Sequence, residues 1–521
     1  MNNDETQITW NYHNGTKHPN GIFLMKPHFY DPALRPDPYK IYKTLKGVTV
    51  PRDRYSTSPA LKSISEFIVQ NKSDNLPDLQ SLSHILYFSN GITKTINYTG
   101  FGEIEFRAAS CTGALYHIEI YLVCGDILGL EAGVYHFDPK EMKLNQLRKG
   151  DFRSVLVKAT ADDFDVKHAP VILVYTDIFT RNSIKYRSRE YRHAFWDCGT
   201  IIANTLAMCN SHHLRTKVIM GFVDDVVNSL LDLNQEKEVS LALIPIGKDS
   251  HASSEEPTEI KILNLPTEPL SNYNYDDPEI TKLHLGSSLT SLKQVSSWRS
   301  KNTSIQSYKS STKDVVLEPK LDEISVGTPI ETVIIKRGSA RKFSRESISF
   351  QQLSTIIYYS THGVCMDFLQ KYGDSIIDLY IIVNSVENLK PGIYYFNKKR
   401  NSLEILKEGI FRNEAMHLGL DQDLPGDGSV CIFFMTNLEK ILDKLGNRGY
   451  RSAQMEASIM GGRFYLAAYS QKVEATGLTF YDDEVTEFFS PHSKNKNTMF
   501  MIVLGKKWKT FMIKKGNRKE I

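Results

Sequence analysis

A chain of 521 residues, 41% of them apolar, exceeds what one hydrophobic core usually organises, so two large domains are the starting expectation. Lys and Arg number 63 against 60 Asp and Glu, and a net charge of +3 supplies no broad field for a polyanion or an acidic membrane; neither nucleic acid nor membrane is expected as a partner. No run of about 18 apolar residues occurs and the N-terminal segment has neither a basic start nor an apolar stretch, which makes a cytoplasmic protein the expectation.

In chain order, an N-terminal extension over 1–60 leads into a first domain over 61–248. Its signals are a helix from Leu79 to Ser89, a small-residue loop within RAASCTGALYHIE (Arg107 to Glu119), and the strands IEIYLVC, GVYHF and VILVYT. A long amphipathic helix from about Arg189 to His212 follows. Residues 249–329, with SSLTSLKQVSSWRSKNTSIQSYKSSTK at their heart, are too polar to bury much apolar surface and read as a linker or a draped lid. A second domain over 330–510 repeats the pattern with a helix from Ser349 to Ser360, the strands DLYIIV, GIYYF and VCIFFM, and a long helix from about Gly449 to Gln471. Runs of strands with few alternating helices favour an α+β fold, a central and mostly antiparallel sheet flanked by helices, over a doubly wound parallel one. The six cysteines (Cys111, Cys124, Cys198, Cys209, Cys365 and Cys431) form no C-x-x-C pair and no cysteine-histidine cluster at zinc spacing; they read as free thiols, and no metal is expected.

The two domains are copies. GVYHFDPKEMKLNQLRKGDFR, from Gly133, aligns without a gap on GIYYFNKKRNSLEILKEGIFR, from Gly392, and the same offset of 259 carries Arg189, Tyr191 and Arg192 onto Arg448, Tyr450 and Arg451. Upstream the offset is 271, so copy two has lost 12 residues in the interval that holds the small-residue loop of copy one.

Three stretches carry candidate chemistry. Copy two opens with IIKRGSARKFS, where Arg337 and Arg341 flank Ser339 in a form suited to a phosphate monoester. At the 271 offset copy one has Glu66, Ile68 and Gln70 and cannot offer the same anion site. After its long helix copy two has Gly477, Leu478, Thr479 and Phe480 in a tight bend whose backbone N–H groups could meet a planar ring. Copy one answers with Gly221-Phe222 and Asp224-Asp225, whose acids read as helix caps. The neighbours Lys185 and Tyr186 are complete only in copy one, since their counterparts are Lys444 and Leu445.

These elements, together with YHNGTKH (Tyr12 to His18) and DPALRPDPYKIY (Asp31 to Tyr42), resemble the SagB-type dehydrogenases of the nitroreductase superfamily, in tandem form. The resemblance implies two nitroreductase-like domains packed as an intrachain pseudo-dimer, and FMN held between them. Arg337, Ser339 and Arg341 would come from copy two, and the loop residues Ser110, Thr112, Gly113, Ala114 and Leu115 from copy one. A backbone N–H near Thr479 and Phe480 would face the flavin N5. Complementary losses then leave one complete pocket and one vestigial pocket. It further implies Lys185 and Tyr186 as catalytic residues, moving protons while hydride leaves a peptide-derived or small-molecule substrate for the flavin. Two other functions stay open: a nicotinamide-dependent reductase of nitro groups, quinones or flavin, and a non-catalytic partner in a modification complex. A further homodimer of the pseudo-dimer is also left open.

Overall fold

The computed structural model describes residues 2–19, 31, 34–51, 58–65, 75–98, 102–253, 259–271, 277–301, 314–508, 511–514 and 517–520. Glu66, Ile68 and Gln70 lie outside them. The chain is α+β throughout, two tandem units joined face to face into an intrachain pseudo-dimer.

Helix α1 (Gln7–Gly15) precedes the first unit, which contains β1 (Gly47–Thr49), α2 (Leu79–Asn90) and a hairpin of β2 (Ile92–Tyr98) and β3 (Gly102–Arg107). Then come β4 (Ile118–Cys124), β5 (Gly133–Asp138), β6 (Lys143–Lys149), β7 (Val171–Ile178), α3 (Phe179–Tyr186), α4 (Glu190–Ser211), α5 (Asp224–Leu230) and β8 (Glu238–Ile246). Between the units lie α6 (Pro278–Gly286), α7 (Leu292–Ser300) and β9 (Asp314–Val316). The second unit contains α8 (Ile330–Lys336), α9 (Phe350–Ser360), β10 (Asp378–Val383), β11 (Gly392–Asn397), β12 (Ser402–Glu408) and β13 (Val430–Thr436). It closes with α10 (Leu438–Leu445), α11 (Arg448–Ser470), β14 (Glu474–Gly477), α12 (Asp482–Phe488) and β15 (Asn497–Gly505).

Both sheets are antiparallel and share one strand order: β1-β6-β5-β4-β7-β8 in the first, and β14-β15-β13-β10-β11-β12-β9 in the second. The repeat extends to register, since Tyr121 pairs with Val174 and Tyr380 with Phe433, each displaced by the same 259. Both α2 and α9 start on a capping box, Asp78 with Ser81 and Ser349 with Gln352, which satisfies the first free N–H groups reciprocally.

The halves meet along α4 and α11, buried over nearly their whole length. Gly199 faces Ser458, and a Cβ on that glycine would lie 1.9 Å from Ser458 Oγ; Gly462 meets Ala203 in the same way. Residues related by 259 touch each other, so the local two-fold axis passes through this crossing. Ser458 Oγ donates to the Phe195 carbonyl at 2.7 Å, and Trp196 Nε1 to Gln454 Oε1 at 2.7 Å.

At each end of the crossing the halves exchange charges. Arg192 of copy one donates to Asp482 of copy two at 2.5 Å, with Arg189 at 3.1 Å on the other carboxylate oxygen. Arg448 and Arg451 of copy two grip Asp224 of copy one at 2.6 and 2.8 Å. Burial alone would raise both carboxyls, but the paired guanidinium groups outweigh it and hold Asp482 and Asp224 below the ordinary carboxylate range. The aspartates do start helices α12 and α5, yet their main partners are arginines of the opposite copy.

The described part of the segment between the copies departs from its composition; residues 254–258, 272–276 and 302–313 lie outside the described residues. Ile280, Leu283, Val295 and Trp298 are all buried. The polar residues there begin helices rather than dissolve them: Asp277 caps α6 and Ser291 caps α7. Their apolar residues fall at helical spacing and seal the back of the arginine cluster, where Arg451 donates to the His284 carbonyl at 2.6 Å.

Removing one partner of a buried ion pair strands the others, so Asp482→Ala should lower unfolding free energy by about 3–5 kcal/mol in urea titrations. Because the folded pKa values of Asp482 and Asp224 are depressed, this contribution is present above about pH 3.9 and is lost as pH falls through the folded values; Asp482→Asn should flatten that acid limb.

Candidate functional site

The loop after β3 is a tight turn whose apex, Gly113, sits at φ +64°, the left-handed region where glycine is favoured. Helix α4 of the same copy pins it. Asp197 accepts from Thr112 N at 2.8 Å, Thr112 Oγ1 at 2.9 Å and Cys111 Sγ at 3.1 Å, while Thr200 Oγ1 donates to the Ser110 carbonyl at 3.0 Å. Ala114 carries the loop on to Leu115, which is buried.

Lys185 and Tyr186 close the last turn of α3 against this apex. A Cβ on Gly113 would stand 2.9 Å from the Tyr186 hydroxyl and 3.4 Å from Lys185 Nζ. Burial lowers the Lys185 pKa, and Arg35, which donates to the Ala114 carbonyl at 2.5 Å, lowers it further. The next residue, Arg187, has φ +53°, where the matching residue of copy two is Gly446 at φ +65°. A non-glycine residue held there costs on the order of 1–3 kcal/mol, and such strain gathers at functional sites.

Copy two reaches the same loop from the opposite side. Arg337, at the end of α8, donates from Nε to the Ala108 carbonyl at 3.1 Å and from Nη2 to the Arg107 carbonyl at 3.5 Å. Its guanidinium lies over the Tyr465 ring, 5.7 Å from the centroid. The Tyr465 hydroxyl lies 3.3 Å from Ser339 Oγ and accepts from Gly477 N at 2.5 Å, so Arg337, Ser339 and Gly477 share one neighbour. Arg341 stands further out, exposed, with a 3.5 Å contact to the Ser339 carbonyl. Among the described residues neither Arg337 nor Arg341 has a carboxylate partner, unlike the four arginines of the interface.

In the bend, Leu478 N donates to the Met501 carbonyl at 3.2 Å, and buried Phe480 lies beside Trp196 with centroids 6.0 Å apart. The rings of Trp196, His193 and Tyr186 continue in steps of 5.0 and 4.5 Å toward the loop apex. Thr479 Oγ1 contacts His18 Nε2 at 3.0 Å and accepts from Arg189 Nη2 at 3.2 Å.

His18 is a site residue that the sequence reading missed. The YHNGTKH stretch is a strap: Arg192 donates to the His13 carbonyl, Arg189 to the Thr16 carbonyl, and His18 N to Asp482. Burial, assisted by Arg189, pushes the His18 imidazole down to about 3, so it meets Thr479 uncharged. The motif was visible, but its target lies 461 residues away.

The pseudo-symmetric counterpart of this site is filled by the chain itself. Met220 and Gly221 occupy the places of Leu478 and Thr479, and their N–H groups donate to Asp367 of copy two at 2.9 and 2.8 Å. Trp298, from the segment between the copies, packs on Gly221 and donates to the carbonyl of Leu445, the counterpart of Tyr186, at 3.0 Å.

Residues 74–248 match the Nitroreductase family, so the chain carries a nitroreductase-family domain. The protein MJ1384 of Methanocaldococcus jannaschii, named as a nitroreductase, is 28% identical over 170 residues, covering 33% of this chain and 80% of that protein. The trifolitoxin-processing protein TfxB of Rhizobium leguminosarum bv. trifolii is 29% identical over 178 residues, 33% of this chain and 47% of its own length. The microcin B17-processing protein McbC of Escherichia coli is 30% identical over 128 residues, 24% of this chain and 47% of its own length. The chain thus spans about half the length of these two processing proteins. A crystal structure of a protein from Anabaena variabilis, named as a nitroreductase, superposes with a TM-score of 0.73 at 23% identity, over 96% of this chain and 99% of that one. The superposition runs over nearly the whole of both chains, so the fold they share extends beyond a single copy. No helix among the described residues is long and apolar enough to cross a membrane.

Relieving the strain beside the lysine gives a direct check. Arg187→Gly, which restores the residue type of Gly446, should raise stability by about 1 kcal/mol in thermal melts.

Proposed function

We propose that this chain is an FMN-dependent oxidoreductase that dehydrogenates a peptide-derived substrate at a single site between its two copies. The observation that carries the reading is the meeting at one loop of parts from both halves: Arg337 of copy two bonded to the Ala108 carbonyl, and Lys185 and Tyr186 of copy one against Gly113.

The residues present fit the cofactor. A cationic pair without carboxylate partners suits a phosphate monoester, and among the described residues Arg337 and Arg341 are such a pair. A loop whose apex is glycine lets backbone approach a flat ring, with Ser110, Thr112, Ala114 and Leu115 setting its course. Gly477, Leu478, Thr479 and Phe480 would line the other edge. When bound, FMN supplies the two-electron redox step.

The protein's own groups then handle protons and water. Lys185, its ammonium disfavoured by burial, can take a proton from the carbon being oxidised onto Nζ, and the neighbouring Tyr186 hydroxyl can hold or relay it. The ring series from Tyr186 to Phe480 excludes water along one wall. The peptide class of substrate rests on the processing proteins TfxB and McbC among the relatives. The self-filled counterpart, with Asp367 on the Met220 and Gly221 N–H groups, supports one FMN per chain.

The visible spectrum of the purified protein should show one flavin per chain; a ratio near zero or near two would sink the reading. Replacing Arg337 and Arg341 together with Ala should weaken FMN binding by about 10–100-fold in fluorescence titrations. Lys185→Met should cut turnover by about 10²–10⁴-fold while leaving the flavin spectrum intact. Bleaching of the flavin by NADPH without any peptide would point instead to a nicotinamide-dependent reductase.

A further inference from the structure

The carboxylate that pins the loop is itself held from behind. Asp197 Oδ2 accepts from His117 Nε2 at 2.8 Å, and the other ring nitrogen, Nδ1, donates to Asp177 Oδ1 at 2.6 Å. A neutral imidazole carries one N–H, so carboxyl oxygens at both nitrogens favour the imidazolium, in which both positions donate. His117 and Asp177 are fully buried and Asp197 is 4% exposed, which keeps water from competing for any of these bonds.

The surrounding groups leave the arrangement one stable charge state. Burial would lower the His117 pKa, but Asp177 and Asp197 outweigh it and raise it well above its ordinary value. Glu190 lies 3.5 Å from Nδ1, and burial, with Asp177 beside it, raises its carboxyl well above the ordinary range. Burial also raises the Cys111 and Cys198 thiols and lowers the His193 imidazole, which the Arg189 and His117 charges lower further.

Copy two lacks the whole arrangement. At the offset of 259, Ile376, Thr436, Gly449 and Glu456 stand in place of His117, Asp177, Glu190 and Asp197. Glu456 accepts from Ile376 N at 3.1 Å and meets the Ser375 side chain, and burial raises its pKa to about 7. The buried cation thus occurs in the copy that kept the loop and is missing from the copy that lost it.

We propose that Asp177, His117 and Asp197 form a buried charge clamp that fixes the Ser110–Leu115 loop in the shape the redox site needs, making His117 and Asp197 positioning residues. This rests on the flavin reading above. His117 sits behind Asp197 on Oδ2, while the same carboxyl accepts from the Thr112 N–H on Oδ2 and from its hydroxyl on Oδ1, so loop and imidazole are tied through one group. With both bonds in place Gly113 is held at Tyr186 and Lys185.

Two measurements separate the clamp from the flavin reading. In ¹⁵N NMR of the full chain, both His117 ring nitrogens should remain protonated from about pH 5.5 to about pH 9, and the Thr112 amide should exchange about 100-fold more slowly than an unbonded loop amide. A His117 ring that titrates in that range overturns the clamp, whatever the flavin does. Asp197→Asn and Thr112→Val should each weaken FMN binding by about tenfold or more at unchanged circular dichroism, and Thr112→Ser, which keeps the hydroxyl, should restore it. Should Asp197→Asn fail to fold, the Thr112→Val and Thr112→Ser pair decides. If the wild-type chain takes up FMN and the variants take it up equally, the clamp is wrong. If the wild-type chain takes up none, the flavin reading fails and the NMR measurement alone judges the clamp.

Discussion

Everything in this molecule depends on two aspartates that each copy surrenders to the other. Asp482 is useless to copy two alone and would be an uncompensated buried charge without Arg189 and Arg192; Asp224 stands in the same relation to Arg448 and Arg451. Desolvating these six groups is costly, and only the correct docking of the halves offsets it. The exchange therefore fixes the angle and register of α4 against α11 more sharply than apolar packing would, and the Gly199–Ser458 contact tolerates no other approach.

With the halves locked, symmetry ceases to be needed at the two sites. One interfacial position keeps the glycine-apex loop, the lysine and tyrosine, and the arginines Arg337 and Arg341. The other is packed with Asp367 and Trp298. A homodimer could not make this division, because any plug would appear in both sites at once. Fusion frees the copies to differ, and the segment between them provides the tryptophan that fills the discarded position.

Much of this was legible in the sequence, and the reasons are local. The strands DLYIIV and IEIYLVC carry β-rich runs that match the sheets residue for residue, and the shared offset of 259 that revealed the repeat also predicts which residues meet on the pseudo-axis. The contact of Arg337 with the carbonyls before the loop agrees with the expectation that copy two reaches into copy one. What escaped was information about partners far away in the chain. Nothing near His117 marks it, because Asp177 and Asp197 lie on other elements, and a single histidine before a strand is usually unremarked. Composition misjudged α6 and α7 because serines that cap helices count the same as serines that dissolve them.

The strap at the start of the chain has a consequence for synthesis. His18 binds Asp482 across 464 residues, and Asn3 accepts from Asn447 N, so this stretch can be seated only after the whole of both copies up to Asp482 has been made. At about 5–20 residues per second the wait is roughly 20–90 s. Arg189 and Arg192, 293 and 290 residues ahead of Asp482, lack their acid for roughly 15–60 s at the same rate. The nascent first half thus exposes, until its sibling is made, cations that the finished molecule buries.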